Sequence, residues 1–367
     1  MIKFLDIYNQ DKRVHKNIIN DIKKLIVKGD FILGSAVNEF EKNFSKFCGS
    51  KYAISCANGT DAITLALKSL YLPKNSEVII PAMTYCATAF AILNANLKPV
   101  IVDVAKSSST IDIDEIKKKI SKKTRVIMPV HLYGSVANLK EIKKLIKKKN
   151  IYLIDDCAQA HGALDDSSSV NKNNKKIGAS TDISCFSFYP AKNLGAYGDA
   201  GIITTNSKKL YQKIRKIRNL GSEKKYIHDH IGMNSRMDSI QALVLNRKIK
   251  NLDKYNNKRQ KIAKIYNKLI NNKKVEKLKY SKSCVYHQYV ILTKDRSNLI
   301  KLFKKNNIQY GFHYPFAINR LQVFRKFYKN KKFENSEKIA KCGLSIPIDP
   351  NLKENEITKI CKVINSL

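Results

Sequence analysis

Between Lys51 and Asn206 the chain alternates short apolar runs with amphipathic stretches. The runs YAIS, EVII, KPVIVDV, RVIMPV, IYLID, ISCFSF and GIITT have the length and β-branched content of strands. Stretches such as DAITLALKSL and NLKEIKKLIKKK carry aliphatic residues at helical spacing between them. This alternation predicts an α/β domain built on a mostly parallel sheet. The apolar segment VIIPAMTYCATAFAIL from Val78 is broken by Pro81, Thr84, Tyr85 and Thr88. It is expected to be buried strand, turn and helix, not a membrane span. From about Ser239 the pattern changes. QALVLNRKIKNLDKYNNKRQKIAKIYNKLI reads as a long helix, and HQYVILT as a strand. We expect a large domain over 1–239, with an N-terminal segment that could pack on the small lobe, and a smaller α+β domain over 240–367. ALDDSSSVNKNNKK, from Ala163 to Lys176, reads as a surface loop.

The formal net charge of +39 would suit a nucleic-acid partner. The lysines are nevertheless spread over helices such as IKKLIKKKN and are not gathered on a patch interleaved with aromatic residues. Lysine-, isoleucine- and asparagine-rich usage is also what an AT-biased coding sequence gives. A solvated basic surface is therefore expected, with neither nucleic acid nor membrane as a partner. The eight cysteines form no CxxC pairs, which suggests reduced, buried thiols, no structural metal and a cytoplasmic protein without a secretory signal.

Lysine takes roughly one residue in six, far above ordinary usage. Yet from Ile177 to Ser207 the only lysine is Lys192, in CFSFYPAKNLGAYGDAG. A surface position is the ordinary reading for a lysine in this chain, and the cleared surroundings argue against it. In an apolar, aromatic setting the amine loses hydration and its pKa falls. That supplies the free amine which attacks a carbonyl. Two more strand ends carry polar groups. SCANGTDAITLAL turns at Gly59 into a helix expected to begin at Thr60 or Asp61. Its free N–H groups suit a phosphate, although Thr and Asp are also ordinary caps. IYLIDDCAQAHG ends a strand with Asp155 and Asp156. Because successive side chains alternate in direction, one of the two should enter a site at the strand end. A phosphate cradle, a carboxylate for a ring nitrogen and a reactive lysine are together what pyridoxal 5′-phosphate needs.

The ordered motifs NGTDAITLAL, EVIIPAMTYCATA, VHLYG, IDDCAQAHGA, CFSFYPAKNLGAYGDAG, IGMNSRMDSIQALVL, HYP and LSIPIDP resemble those of the DegT/DnrJ/EryC1/StrS family of sugar aminotransferases. The resemblance runs from about Gly34 to Pro350 and implies an aspartate-aminotransferase-like fold. It implies that Lys192 holds the cofactor and carries the proton. Asp156 would face the pyridinium nitrogen and Gln159 the ring hydroxyl, with Tyr85 stacking on the ring. Thr60, the backbone at Gly59 and Asp61, and Ser187 would bind phosphate. Asn234 would reach the phosphate of the other subunit of a homodimer. Tyr226, His228, Arg236, His313 and Tyr314 fall where the family handles amino donor or sugar.

The chain departs from the usual pattern at Asp155, Ala191 and Asn319; a second histidine often stands near the last position in relatives that keep HYP. The resemblance implies a nucleotide-linked keto-sugar and glutamate as substrates. The run KNLGAYGDAG points to a dTDP-3-keto-6-deoxyhexose. The alternatives are a 4-keto or UDP-linked sugar, or a non-catalytic, basic regulatory or nucleic-acid-binding protein on this scaffold.

Overall fold

The computed structural model describes residues 1–12, 14–165, 175–224, 226–329 and 331–367. Most of the polar stretch read as a surface loop, residues 166–174, lies outside the described residues; its flanks Leu164 and Lys176 pair in an antiparallel bridge. All seven expected strands form: β1 (Tyr52–Cys56), β2 (Glu77–Pro81), β3 (Lys98–Val102), β4 (Thr124–Ile127), β5 (Tyr152–Asp156), β6 (Ile183–Ser187) and β7 (Gly201–Thr205). They make one sheet in the order β1-β7-β6-β5-β4-β2-β3. The pairs β6–β5, β5–β4, β4–β2 and β2–β3 are parallel, and β7 runs antiparallel to both its neighbours. Two strands are shorter than their apolar runs. Val104 and Val130 make single bridges beyond the ends of β3 and β4, to Ile111 and Asp156.

Strict alternation along the strands splits the core into two layers. Ile54, Val78, Ile80, Ile154 and Cys185 pack on one face, with the helices Gly59–Lys68 and Cys86–Asn94. Ala53 and Phe186 face the other side, against Phe40 and Phe44 of the helix Ser35–Cys48. Ile79, Ile127 and Leu153 also turn away from the first layer, toward the helices Ile113–Lys119 and Leu139–Ile146. The result is a three-layer α/β/α sandwich. The segment from Val78 is buried strand, turn and helix, as the pattern predicts. Among the described residues no helix is long and apolar enough to cross a membrane. All eight cysteines are free thiols, seven of them buried.

The long helical stretch is two helices, Ser239–Lys248 and Leu252–Leu269, joined by a 3-10 turn over Ile249–Asn251. The first packs on the helix Ser35–Cys48; Leu245 and Leu252 share its apolar layer. Beyond it come a two-stranded ribbon, β8 (Ser222–Lys224) with β9 (Ile227–His228), which precedes these helices in the chain, and a three-stranded antiparallel sheet of β10 (Glu276–Lys277), β11 (Tyr289–Leu292) and β12 (Gly343–Ile346). Ile262, Tyr266, Ile291, Leu344, Ile360 and Ile364 form the core under that sheet. The chain start joins it, with Ile2 bridged to Ile308 and the Asp6 N–H donating to Asp349 at 3.0 Å.

One buried ion pair ties the first strand to its surroundings. Arg218 Nη1 donates to Glu41 Oε1 at 2.6 Å and to the Ser55 carbonyl at 2.9 Å, and the same Glu41 oxygen accepts from Ser55 N–H and Oγ–H, both at 2.8 Å. Removing one partner of such a pair strands a desolvated charge, at a cost of about 3–5 kcal/mol. Glu41→Ala is therefore expected to lower the urea-unfolding free energy by about that amount. Glu41→Gln, which removes the charge but keeps an acceptor, should lose less, and equal losses for the two variants would show that the retained acceptor contributes nothing.

Candidate active site

The loops that follow β1, β2, β5 and β6 converge on a cavity of about 720 Å³. It lies at the carboxyl ends of the strands, where open α/β sheets bind ligands. Ten sequence-predicted residues line it together: Gly59, Thr60, Asp61, Tyr85, Asp156, Gln159, Ser187, Lys192, His313 and Tyr314.

Lys192 sits in the turn after β6, its N–H donating to the Tyr189 carbonyl at 2.8 Å. Gly195 closes this turn: a Cβ there would lie 2.2 Å from the Pro190 carbonyl oxygen, so only glycine fits. Burial lowers the Lys192 ammonium to about 8, and the Asp156 charge offsets only part of that shift. Asp156 ends β5. It accepts from Thr88 Oγ1 at 2.8 Å and from the Ala158 N–H at 3.1 Å. Burial raises its carboxyl above the ordinary value despite those bonds. Asp155 points the other way, to His131 Nε2 at 3.1 Å and Thr181 Oγ1 at 2.6 Å. Alternation along the strand thus sends one carboxylate into the cavity and the other into the fold. His131 Nδ1 accepts the Ala137 N–H, so the cluster His131, Asp155 and Cys157 has its imidazole fully used by protein partners.

The helix after β1 begins at Gly59, one residue earlier than expected, and its cap is Asn58, not Thr60 or Asp61. Asn58 Oδ1 accepts the Asp61 N–H at 2.8 Å. That bond uses the Asp61 backbone donor assigned to phosphate by resemblance. The Asp61 carboxylate accepts from Ser235 Oγ at 2.6 Å. The N–H groups of Gly59 and Thr60 remain at the helix terminus, where a phosphate is favoured. Ser187 stands directly against them: a Cβ on Gly59 would lie 2.5 Å from the Ser187 Cβ. The donors present fit pyridoxal 5′-phosphate: an anion-binding helix start with Ser187, a buried carboxylate, and a buried amine of lowered pKa.

Across the cavity, Gln159 Oε1 accepts the Tyr133 N–H at 2.7 Å and its Nε2 donates to the Tyr314 hydroxyl at 2.9 Å. The Tyr133 hydroxyl donates to the His313 carbonyl. Tyr85 is half open to solvent, its ring centroid 5.3 Å from that of Tyr314. His313 Nδ1 lies 2.8 Å from Ser345 Oγ, and burial lowers its pKa to about 4.

Four sequence-predicted residues do not line this cavity. Asn234 is exposed, its backbone bridged to Asn219. Arg236 reaches Asn219 Oδ1 at 3.5 Å. His228 Nδ1 lies 3.0 Å from the Leu220 carbonyl, in the β8–β9 ribbon, and Tyr226 is 82% exposed. Asn319 is fully buried and donates to Glu337 Oε1 at 2.9 Å, outside the cavity lining. The departure at Asn319 is accordingly not a direct change to the cavity wall. Sequence reasoning missed Asn58, Thr84, Thr88, Tyr133, Asp199, His287 and Gln288. An asparagine just before a helix was a readable cap signal for the first; the others depend on chain segments distant in sequence.

The model of the DegT/DnrJ/EryC1/StrS aminotransferase family matches residues 12–365. The chain belongs to this family. It is 37% identical, over all of its length and 99% of the relative's, to the dTDP-3-amino-3,6-dideoxy-alpha-D-galactopyranose transaminase of Aneurinibacillus thermoaerophilus. It is 33% identical, over the full length of both, to the UDP-2-acetamido-2-deoxy-3-oxo-D-glucuronate aminotransferase of Pseudomonas aeruginosa. The crystal structure of Streptomyces venezuelae DesV in complex with a ketimine intermediate superimposes with a TM-score of 0.95, at 29% identity, covering 100% of this chain and 98% of that one. The protein is an aminotransferase, and its cofactor is pyridoxal 5′-phosphate.

An amine titrating near 8 is mostly protonated at lower pH and becomes a free nucleophile above it. Cofactor-free protein given pyridoxal 5′-phosphate should therefore develop visible absorption at a rate that rises with pH through a midpoint near 8. Lys192→Ala should develop no such band. A wild-type midpoint at the ordinary lysine value would contradict the burial argument.

Proposed function

We propose that this enzyme aminates C3 of a dTDP-linked 3-keto-6-deoxyhexose, with glutamate as amino donor. The observation that carries the reading is the amine of Lys192 facing Asp156 in a cavity walled by a helix N-terminus. The run KNLGAYGDAG, following the lysine, supports the position of amination, as do the two relatives named for 3-amino and 3-oxo sugars. Bound pyridoxal 5′-phosphate supplies an electron sink for bonds broken at the carbon that carries nitrogen. Asp156 would hold the cationic ring nitrogen, and the Gly59 and Thr60 N–H groups with Ser187 would hold the phosphate. Lys192 Nζ moves the proton in both halves of the reaction. Tyr314, half-buried beside Gln159, and His313 wall the side where the sugar enters.

A one-ångström displacement of a reacting atom costs roughly a hundredfold in rate. Neighbouring ring carbons are therefore not interchangeable. Purified enzyme offered glutamate with dTDP-linked 3-keto and 4-keto 6-deoxyhexoses should aminate the 3-keto sugar preferentially, with the new C–N bond located by NMR. Preference for C4 would overturn the position, and turnover of UDP-linked sugars alone would overturn the nucleotide.

The reading includes a homodimer that shares its sites. Asn234, Arg236, Tyr226 and His228 lie away from their own chain's cavity, as residues destined for a second subunit's site would. Mixing Lys192→Ala with Asn234→Ala chains should then recover activity, because one site of each mixed dimer carries neither lesion. Absence of recovery after demonstrated subunit exchange, with both parents folded and Asn234→Ala itself impaired, would refute sharing.

A further inference from the structure

The buried apolar segment from Val78 carries two hydroxyl side chains that an apolar core does not need. Thr84 stands just before Tyr85, the cap of the helix Cys86–Asn94, and Thr88 is the third residue of that helix. They are 2% and 1% exposed, and hydroxyls so buried require partners. Thr84 Oγ1 lies 2.9 Å from Thr88 Oγ1, and Thr88 Oγ1 donates to Asp156 Oδ2 at 2.8 Å. All three residues line the cavity.

The directions of these bonds can be deduced. An ionised carboxylate only accepts, so the single hydroxyl proton of Thr88 is spent on Asp156. In the pair of threonines either oxygen could donate by position alone. With the Thr88 proton already used, Thr84 must be the donor. Two hydroxyls therefore point in series at one carboxylate, and each bond polarises the next. The other oxygen, Asp156 Oδ1, accepts the Ala158 N–H at 3.1 Å. With one donor on each oxygen, the carboxylate is held in a single orientation. Thr88 also lies in the first turn of a helix whose cap makes no side-chain hydrogen bond, and a negative charge is favoured at such a helix start.

Burial works against this charge. It is the largest influence on the Asp156 carboxyl and raises its pKa, while the Ala158 and Thr88 bonds and then the Lys192 and His131 charges act the other way. Cys157 beside it, Cys185 on β6 and Tyr314 from the C-terminal segment are the neighbouring thiols and phenol, and burial holds all three uncharged. Asp155 is turned away onto His131. We propose that Thr88 and Thr84 are positioning residues: their relay of hydroxyls holds the Asp156 carboxylate charged and oriented toward a cationic ring nitrogen. This rests on Asp156 being the partner of that nitrogen and adds what keeps it so. A carboxyl that took up a proton would leave the buried cation without a counter-charge.

The test follows the Asp156 titration by carbon-13 NMR of the full chain labelled at the aspartate carboxyl and free of cofactor, with Asp156→Asn identifying the resonance. Losing a donor to the charged form raises the midpoint. Thr88→Val, which has nearly the same shape without a hydroxyl, should raise it by about one to two pH units. Thr88→Ser keeps the hydroxyl and should titrate near the wild type. Thr84→Val leaves the inner bond in place and should raise the midpoint by less. An unchanged midpoint in Thr88→Val, or a Ser variant as high as the Val variant, would overturn the proposal. Thr84→Val decides the matter if the Thr88→Val chain does not fold, because an unchanged midpoint there would sink the relay by itself. Equilibrium dialysis of pyridoxamine 5′-phosphate across a pH series gives a second readout. The acid side, where binding weakens as the carboxyl takes up a proton, should move to higher pH in Thr88→Val and stay in place in Thr88→Ser; no movement in the Val variant would count against the relay. Wild-type affinity and pH dependence in Asp156→Asn would instead overturn the ring-nitrogen reading beneath the proposal, a failure that the cofactor-free carboxyl titration does not share.

Discussion

An amine that has to be free of its proton near neutrality must be partly withheld from water, and much of this structure meets that one demand. Desolvation lowers the Lys192 ammonium to about 8, while an unopposed carboxylate nearby would push it back up. Asp156 does so only in part, because desolvation is the larger effect on the amine. The two groups stand in opposed environments of one cavity, each moving the other by less than the apolar surroundings move both. Placing them there requires the ends of β5 and β6 to be neighbours in the sheet. It also requires the turn after β6 to fold tightly over Gly195, where a side chain would collide with Pro190. The lysine-free stretch from Ile177 to Ser207 fits the same demand, since a second ammonium beside the first would drive its pKa further down and would compete for an aldehyde.

Much of this arrangement was legible because it depends on short-range periodicity. Seven strands announced themselves as apolar runs, and the alternation of Asp155 with Asp156 correctly required that they face opposite ways. Lys192 stood out through isolation alone. What failed to show was in one case a local cap signal passed over, and otherwise decided at long range. The helix start was misjudged by one residue because Asn58, not Thr60 or Asp61, closes it, and the cap consumes an Asp61 N–H that resemblance had reserved for phosphate. Asn319 looked like a departure within a motif. In the fold its amide nitrogen donates to Glu337, which Arg320 also grips at 2.9 Å through Nε. His287 and Gln288 read as the opening of an unremarkable strand, and only the tertiary fold brings them to the lysine.

The cavity is also where the main sheet meets the C-terminal segment. Gln159, on the loop after β5, reaches Tyr314 through its amide nitrogen and Tyr133 through its oxygen, and Tyr133 reaches the carbonyl of His313. Tyr133 adopts a left-handed backbone conformation, φ +60°, that non-glycine residues hold only under constraint from their surroundings. It is fully buried, and its N–H and hydroxyl both serve this network. The position of the wall formed by His313 and Tyr314 is therefore set through the same glutamine that the family resemblance places beside the cofactor ring.

The surface charge and the charge of the cavity have opposite characters, which separates attraction from recognition. The chain carries a formal +39, spread over exposed helices whose Lys–Asp and Lys–Glu contacts three residues apart add little stability. Such a field draws anionic metabolites of every kind toward the protein. Inside, Lys192 is the one lysine or arginine among the described lining residues, against the carboxylates of Asp61, Asp156 and Asp199, and His287 and His313 are held toward neutrality by burial. A phosphate arriving there meets backbone N–H groups and a hydroxyl in place of a pool of cations. Those donors have fixed directions and sit at one helix start. An anion gains from them only if its shape also suits the walls of Tyr85, Tyr314 and Gln159. Discrimination among anions then rests on oriented groups of the cavity, and the lysines outside can change how often an anion arrives without deciding which one fits.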